Sequence, residues 1–162
     1  MTSIRSTDHR IRRPAEREDV FRQLISEGPF DTLRDAMLFA AALGRARSHS
    51  IPFTQSAEPI RWDTMTARPG TESVVNMLAV TDSDDDAEVV DRAMIMSEER
   101  FDERAKIFEE YANGGLEIIG SELKRSPESP NSVIVKLILS TLDEEPADDV
   151  PALDKLVNDL GL

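Results

Sequence analysis

A chain of 162 residues with 40% hydrophobic and 5% aromatic content has material for one domain whose core is built from Leu, Ile, Val, Met and Ala, a composition that favours packed helices. The absence of cysteine excludes disulfides, thiolate nucleophiles and sulfur-ligated zinc, and no apolar run reaches the roughly 18 residues of a membrane span, so a cytoplasmic protein is expected. The net charge of −13 is divided unevenly: residues 1–70 hold 11 Lys+Arg against 9 Asp+Glu, a balance of +2, while residues 71–162 hold 8 against 23, a balance of −15. An acidic half repels nucleic acid over a Debye length, roughly 8 Å at physiological salt, so any DNA contact belongs to the N-terminal half.

Residues 1–13 read as a flexible basic arm, disordered to about residue 10, with Ile11 to Pro14 as a short extended lead because a residue before proline is pushed away from helix. Pro14 then opens a helix to about Ser26 with Val20, Phe21, Leu24 and Ile25 inward, stopped by Gly28-Pro29. Asp31 or Thr32 caps a second helix that is apolar nearly all round, from Leu33 through Met37 to Leu43, and is therefore central; Gly44 closes it. Pro52, Pro59 and Pro69 make residues 45–71 a long irregular connection with room for one helical turn, Trp62 to Ala67.

Glu72 to Val80 reads as a helix, although its valines leave a strand possible, and the acidic run Asp82 to Asp86 interrupts it. Glu88 to Met96 is a further short helix. Ser97 is placed to cap a long one, Glu98 to Arg125, which Pro127 and Pro130 terminate. Ser132 to Leu142 is apolar and ambiguous, its length of about 11 residues favouring helix over strand. A last short helix is expected from Pro151 to Leu160. The sum is an all-α, compact single-domain helical bundle over residues 14–162, acidic from about residue 71.

Within the long helix, Phe101, Ala105, Phe108, Ala112, Gly115, Leu116, Ile119 and Leu123 keep steps of three and four straight through Gly114-Gly115. Two helical glycines cost roughly 1 kcal/mol each relative to alanine, so they call for a break or for close backbone contact. One reading makes Tyr111, Asn113, Gly114 and Gly115 a contact surface for another protein. The favoured one packs Gly115 against Leu43 or the segment around Val133, with Asn113-Gly114 absorbing a kink.

Other candidates are weighed against plainer roles. Arg10, Arg12, Arg13 and Arg17, with Arg5 and Arg22 nearby, could grip phosphate through paired guanidinium donors; the favoured reading pairs them with the chain's own acidic half or with an acidic partner. Trp62 beside Arg61 could anchor a partner or plug the core. Asp82, Asp84 and Asp86 alternate like the start of a calcium loop. Ala87 and Ala93 stand where that loop needs glycine and glutamate, so Asp84, Asp85 and Asp86 are read as solvated acids available to a partner, and no metal is expected. His9 and His49 have no ligand spacing, and Glu109-Glu110 reads as the wet face of its helix. No catalytic residue and no cofactor is indicated.

The block Phe30 to Gly44 (FDTLRDAMLFAAALG), preceded by Ile11-Arg12-Arg13-Pro14 and followed by Ile60-Arg61-Trp62, and the block Phe101 to Leu123 (FDERAKIFEEYANGGLEIIGSEL) occur in the order seen in one small family. The chain resembles that family, described as DNA phosphorothioation-associated, or Dnd system-associated, protein four, over about residues 10–125. The resemblance implies a bacterial defence context, with DNA carrying sulfur in place of a non-bridging phosphate oxygen, and it implies no reaction. The expectation is a non-enzymatic accessory or regulatory component of phosphorothioation-dependent restriction that contacts the protein components of that complex. The alternatives are a small DNA-binding or transcription-control protein using the N-terminal arginines and a carboxylate-based metal hydrolase.

Overall fold

The computed structural model describes residues 8–82 and 95–143. Its chain order is strand β1 (Arg10–Pro14), a 3₁₀ turn (Ala15–Arg17), helices α1 (Glu18–Ser26) and α2 (Leu33–Ala46), strand β2 (Ser56–Arg61), helices α3 (Trp62–Thr66) and α4 (Thr71–Asp82), a 3₁₀ turn (Glu98–Arg100), and helices α5 (Phe101–Arg125) and α6 (Pro130–Asp143). The fold is predominantly helical, as expected, with one addition. β1 and β2 pair antiparallel, Arg10 opposite Arg61 and Pro14 opposite Ser56, with a register shift between Ile11 and Arg13.

That ribbon corrects two expectations. Residues 10–13 belong to a paired strand, extended as read for Ile11 to Pro14 but not a flexible arm, and the long connection contains the partner strand. Pro59 is tolerated in β2 because a two-stranded ribbon has only edges. The alternation is also partial: Ile11 and Arg13 are buried, Arg10 is exposed. Because Pro14 ends β1, helix α1 begins at Glu18 and not at Pro14.

Thr32 caps α2, its Oγ1 accepting from the Asp35 N–H at 3.2 Å. Gly44 does not close this helix. The chain runs on to Ala46 and turns through Ser48 in the left-handed region (φ 48°), where the Ser48 N–H donates to the Arg45 carbonyl at 3.0 Å and the His49 N–H to Gly44 at 2.8 Å. That is the paired ending of a Schellman motif, which satisfies carbonyls the helix leaves open. Helix α4 takes the helical alternative, and Pro130, expected as a stop, instead starts α6, where its missing N–H is harmless. Ser97 makes no side-chain cap, because a 3₁₀ turn separates it from α5. Asp84, Asp85 and Asp86, most of the expected helix at Glu88 to Met96, and the expected helix at Pro151 to Leu160 lie outside the described residues.

The core gathers where α2 crosses α5. Met37, Ala40 and Ala41 face Phe108, Ala112 and Leu116, all buried. α5 is one uninterrupted helix through its glycine pair. A Cβ on Gly115 would lie 1.8 Å from the Ala40 carbonyl oxygen, one on Gly114 1.9 Å from that of His49, and one on Gly44 2.1 Å from that of Tyr111. The glycines therefore exist for backbone contact, as favoured from the sequence, with Ala40 in the place expected of Leu43 or the Val133 segment.

Candidate functional site

The polar architecture centres on the side of α5 that meets β1 and the 3₁₀ turn after it. Glu109 follows Ala105 by four residues and precedes Asn113 by four, so helical phase carries both polar side chains onto the buried side. Glu109 is 2% exposed, which corrects its reading as wet surface. Its Oε1 accepts the Arg12 backbone N–H at 2.7 Å and its Oε2 accepts the Arg12 Nε at 2.9 Å. Burial raises the Glu109 pKa above its ordinary value, outweighing the two Arg12 hydrogen bonds and the guanidinium charge that favour ionisation.

Beside it, the Asn113 Oδ1 accepts the Arg17 Nε at 3.0 Å, and the Asn113 amide donates to the Ile51 carbonyl at 3.1 Å. Arg17 reaches on to Glu117 Oε2 at 2.9 Å, and His49 Nε2 approaches the other oxygen of that carboxylate at 3.2 Å. Arg13 binds Glu18 and donates to the Glu58 carbonyl at 2.8 Å, with Phe21 under its guanidinium. Arg10, at the surface, pairs with Asp8 of its own segment at 2.5 Å.

The four proposed phosphate-gripping arginines thus do not form one cationic surface. Arg12 and Arg17 pair with the acidic half of the chain and fasten β1 and the turn after it to α5, while Arg13 and Arg10 pair with carboxylates nearby in sequence. Arg17→Ala is accordingly expected to lower stability by about 1 kcal/mol in urea titration, since it removes hydrogen bonds to Asn113 and Glu117. An unchanged midpoint would mean the pairing contributes nothing.

The expected partner contacts on α5 are not accessible. Asn113 and Gly114 are buried, and Tyr111 is buried with its hydroxyl donating to Asp82 Oδ1 at 2.5 Å. Burial, and then Asp82, raise the Tyr111 pKa. Trp62 is half-buried and edge-on to Phe101, ring centres 5.0 Å apart, so it seals the end of the core. It also borders an open cleft of about 610 Å³ lined by His9, Arg10, Arg61 and Glu98. His9 stacks on Phe101 at 3.9 Å and meets Glu98 Oε1 at 2.7 Å. Among the described residues, no three His, Asp or Glu side chains converge as metal ligands.

Sequence reasoning missed a different surface. Val135, Ile138, Leu139 and Leu142 stand exposed along α6 while Val133, Ile134 and Leu137 of the same helix are buried. The signal was present as apolar residues on more of the helix than one buried face can use.

Fold and charge arrangement together define a helical, acidic domain clasped by a short ribbon through internal ion pairs, with one apolar helix face left open. The chain belongs to the family described as DNA sulphur modification system-associated protein 4, which it matches over residues 10–155. That membership ties it to a DNA sulphur modification system. No curated protein and no solved structure matches the chain. No helix among the described residues is long and apolar enough to cross a membrane.

Proposed function

We propose that this chain is a non-catalytic accessory or regulatory component of phosphorothioation-dependent restriction and phage defence, acting in the cytoplasm by contact with other proteins of the system. Family membership supplies the context. The observation that carries the mechanism is the disposition of the arginines: Arg12, Arg13 and Arg17 are engaged by Glu109, Glu18 and Glu117, so the groups best suited to phosphate are directed at the chain's own carboxylates. The same pairing weighs against the alternative of a DNA-binding protein working through these arginines.

With those cations neutralised, the acidic surplus of residues 71–162 is what the domain presents to others. It suits a basic surface on a DNA-handling partner, where it would occupy or tune the path DNA takes. Electrostatic complementarity mainly speeds and orients such docking, and salt weakens it. Co-expression with the modification and restriction proteins of the same locus, followed by affinity capture, tests the idea. Capture is expected at about 50 mM salt and should fall severalfold by about 500 mM. Capture indifferent to salt, or none at all, refutes the reading, as would tight binding of duplex DNA by the chain alone.

A further inference from the structure

Helix α6 is apolar on two sides. Val133, Ile134 and Leu137 face the domain, and Val135, Ile138, Leu139 and Leu142, between 42% and 74% exposed, face away from it. The outward four follow steps of three, one and three, which places them in one stripe about two helical turns long. The only charged residues of the helix are Lys136 and Asp143, and Lys136 is held by Glu128 at 2.6 Å. Single exposed aliphatic residues are ordinary, but a contiguous stripe of four on a nearly uncharged helix marks a docking surface.

A second copy of the chain, its own residues 144–162 or another protein could cover the stripe, and charge separates them. Each copy carries −13, and residues 144–162 hold six Asp+Glu against one Lys. Either would bring like charge onto a half that already stands at −15, which opposes association. We infer that the α6 stripe is the docking site for a basic amphipathic helix of a partner protein, with aliphatic side chains at i, i+3, i+4 and i+7 bordered by lysine and arginine. Helix-in-groove recognition uses that spacing: the stripe supplies the desolvated contact, and the net charge of −15 over residues 71–162 favours the lysine border. The inference rests on the proposed function and locates its contact within the acidic half.

The test uses the full chain and three labelled designed helical peptides of about 20 residues, a length that spans the stripe. One has a leucine stripe with lysine borders, one has the same composition scrambled, and one has glutamate borders. The first should bind measurably by fluorescence anisotropy, and the other two roughly tenfold or more weakly. A Val135→Ser/Leu139→Ser double variant should weaken the first peptide roughly tenfold or more while keeping its circular dichroism spectrum, because both positions are exposed. Equal binding of striped and scrambled peptides, or no binding of the striped one, overturns the inference.

Because the chain lacks cysteine, Leu139→Cys with Leu156→Cys gives an unambiguous crosslink. An efficient bond within one chain assigns the stripe to the chain's own end, a bond between chains assigns it to a second copy, and either overturns the inference. Partner capture that survives the double variant removes this docking site but leaves the proposed function. Peptide binding without capture of any locus protein does the reverse.

Discussion

Gly115→Ala should destabilise the domain by about 3 kcal/mol, although alanine is the better helix former by about 1 kcal/mol. The new methyl would sit 1.8 Å from the Ala40 carbonyl oxygen, with the Ala40 carbonyl carbon at 2.6 Å and its Cα at 2.9 Å. All three atoms are backbone. No rotamer relieves the overlap, so α2 must move off α5 and open the core between Met37, Phe108 and Leu116. The same change at Gly120 of the same helix meets only Val20 Cγ2 at 3.0 Å, the end of a side chain. It should stay within about 1 kcal/mol of wild type, since a small shift of Val20 is offset by gained helix propensity. Urea titration of the two variants side by side separates helix propensity from interhelical contact. For a domain of this size the Gly115 variant should melt around 10 °C lower. Equal midpoints would show that α2 does not rest on the α5 backbone.

That contrast also shows what was legible in the residues. The phase of Phe101 to Leu123 identifies a helix with one buried face, and a glycine pair inside it signals close approach. Which backbone approaches is a fact of the crossing between α2 and α5, and Ala40 rather than Leu43 fills that place because it stands where the axes meet. The Thr32 cap was readable for a related reason, since it acts on the N–H of Asp35, three residues away, whereas the caps expected at Ser97 and Gly44 are not made. Local chemistry leaves local traces.

The ribbon left only the extended lead at Ile11 to Pro14. β1 and β2 pair across more than forty residues, one strand holds Pro59, and the other holds three arginines, so neither shows clean apolar alternation. For the arginines, sequence favours pairing with acidic residues over phosphate but gives charge without direction; Arg12 and Arg17 turn inward because α5 offers Glu109, Asn113 and Glu117. The α6 stripe was legible as apolar content, while the fact that half of it is uncovered needed three dimensions.

Glu109 should prove the most informative of these buried polar groups. Glu109→Ala removes the acceptor of both the Arg12 backbone N–H and its guanidinium, and with them the tie between β1 and α5. A loss of about 2 kcal/mol is expected, nearer to a charged hydrogen bond than to a fully buried pair, because the Arg12 side chain is 43% exposed and recovers water. Glu109→Gln separates shape from charge. The folded-state pKa of Glu109 is raised above 4.5 by burial. A group raised in this way stabilises the fold fully below its unfolded pKa, and that contribution is lost as pH rises through the folded pKa. Wild type and the glutamine variant should therefore be closest in stability near about pH 4, where the carboxyl is protonated, with the balance moving toward glutamine by about pH 7. Asp35 and Glu103, whose pKa values are lowered with Thr32 and arginine partners and with Arg100 respectively, slope the opposite way, but both proteins share them and they cancel in the difference. Urea midpoints across that range measure the difference directly. Parallel profiles for the two proteins would mean that burial does not raise the Glu109 pKa above its unfolded value.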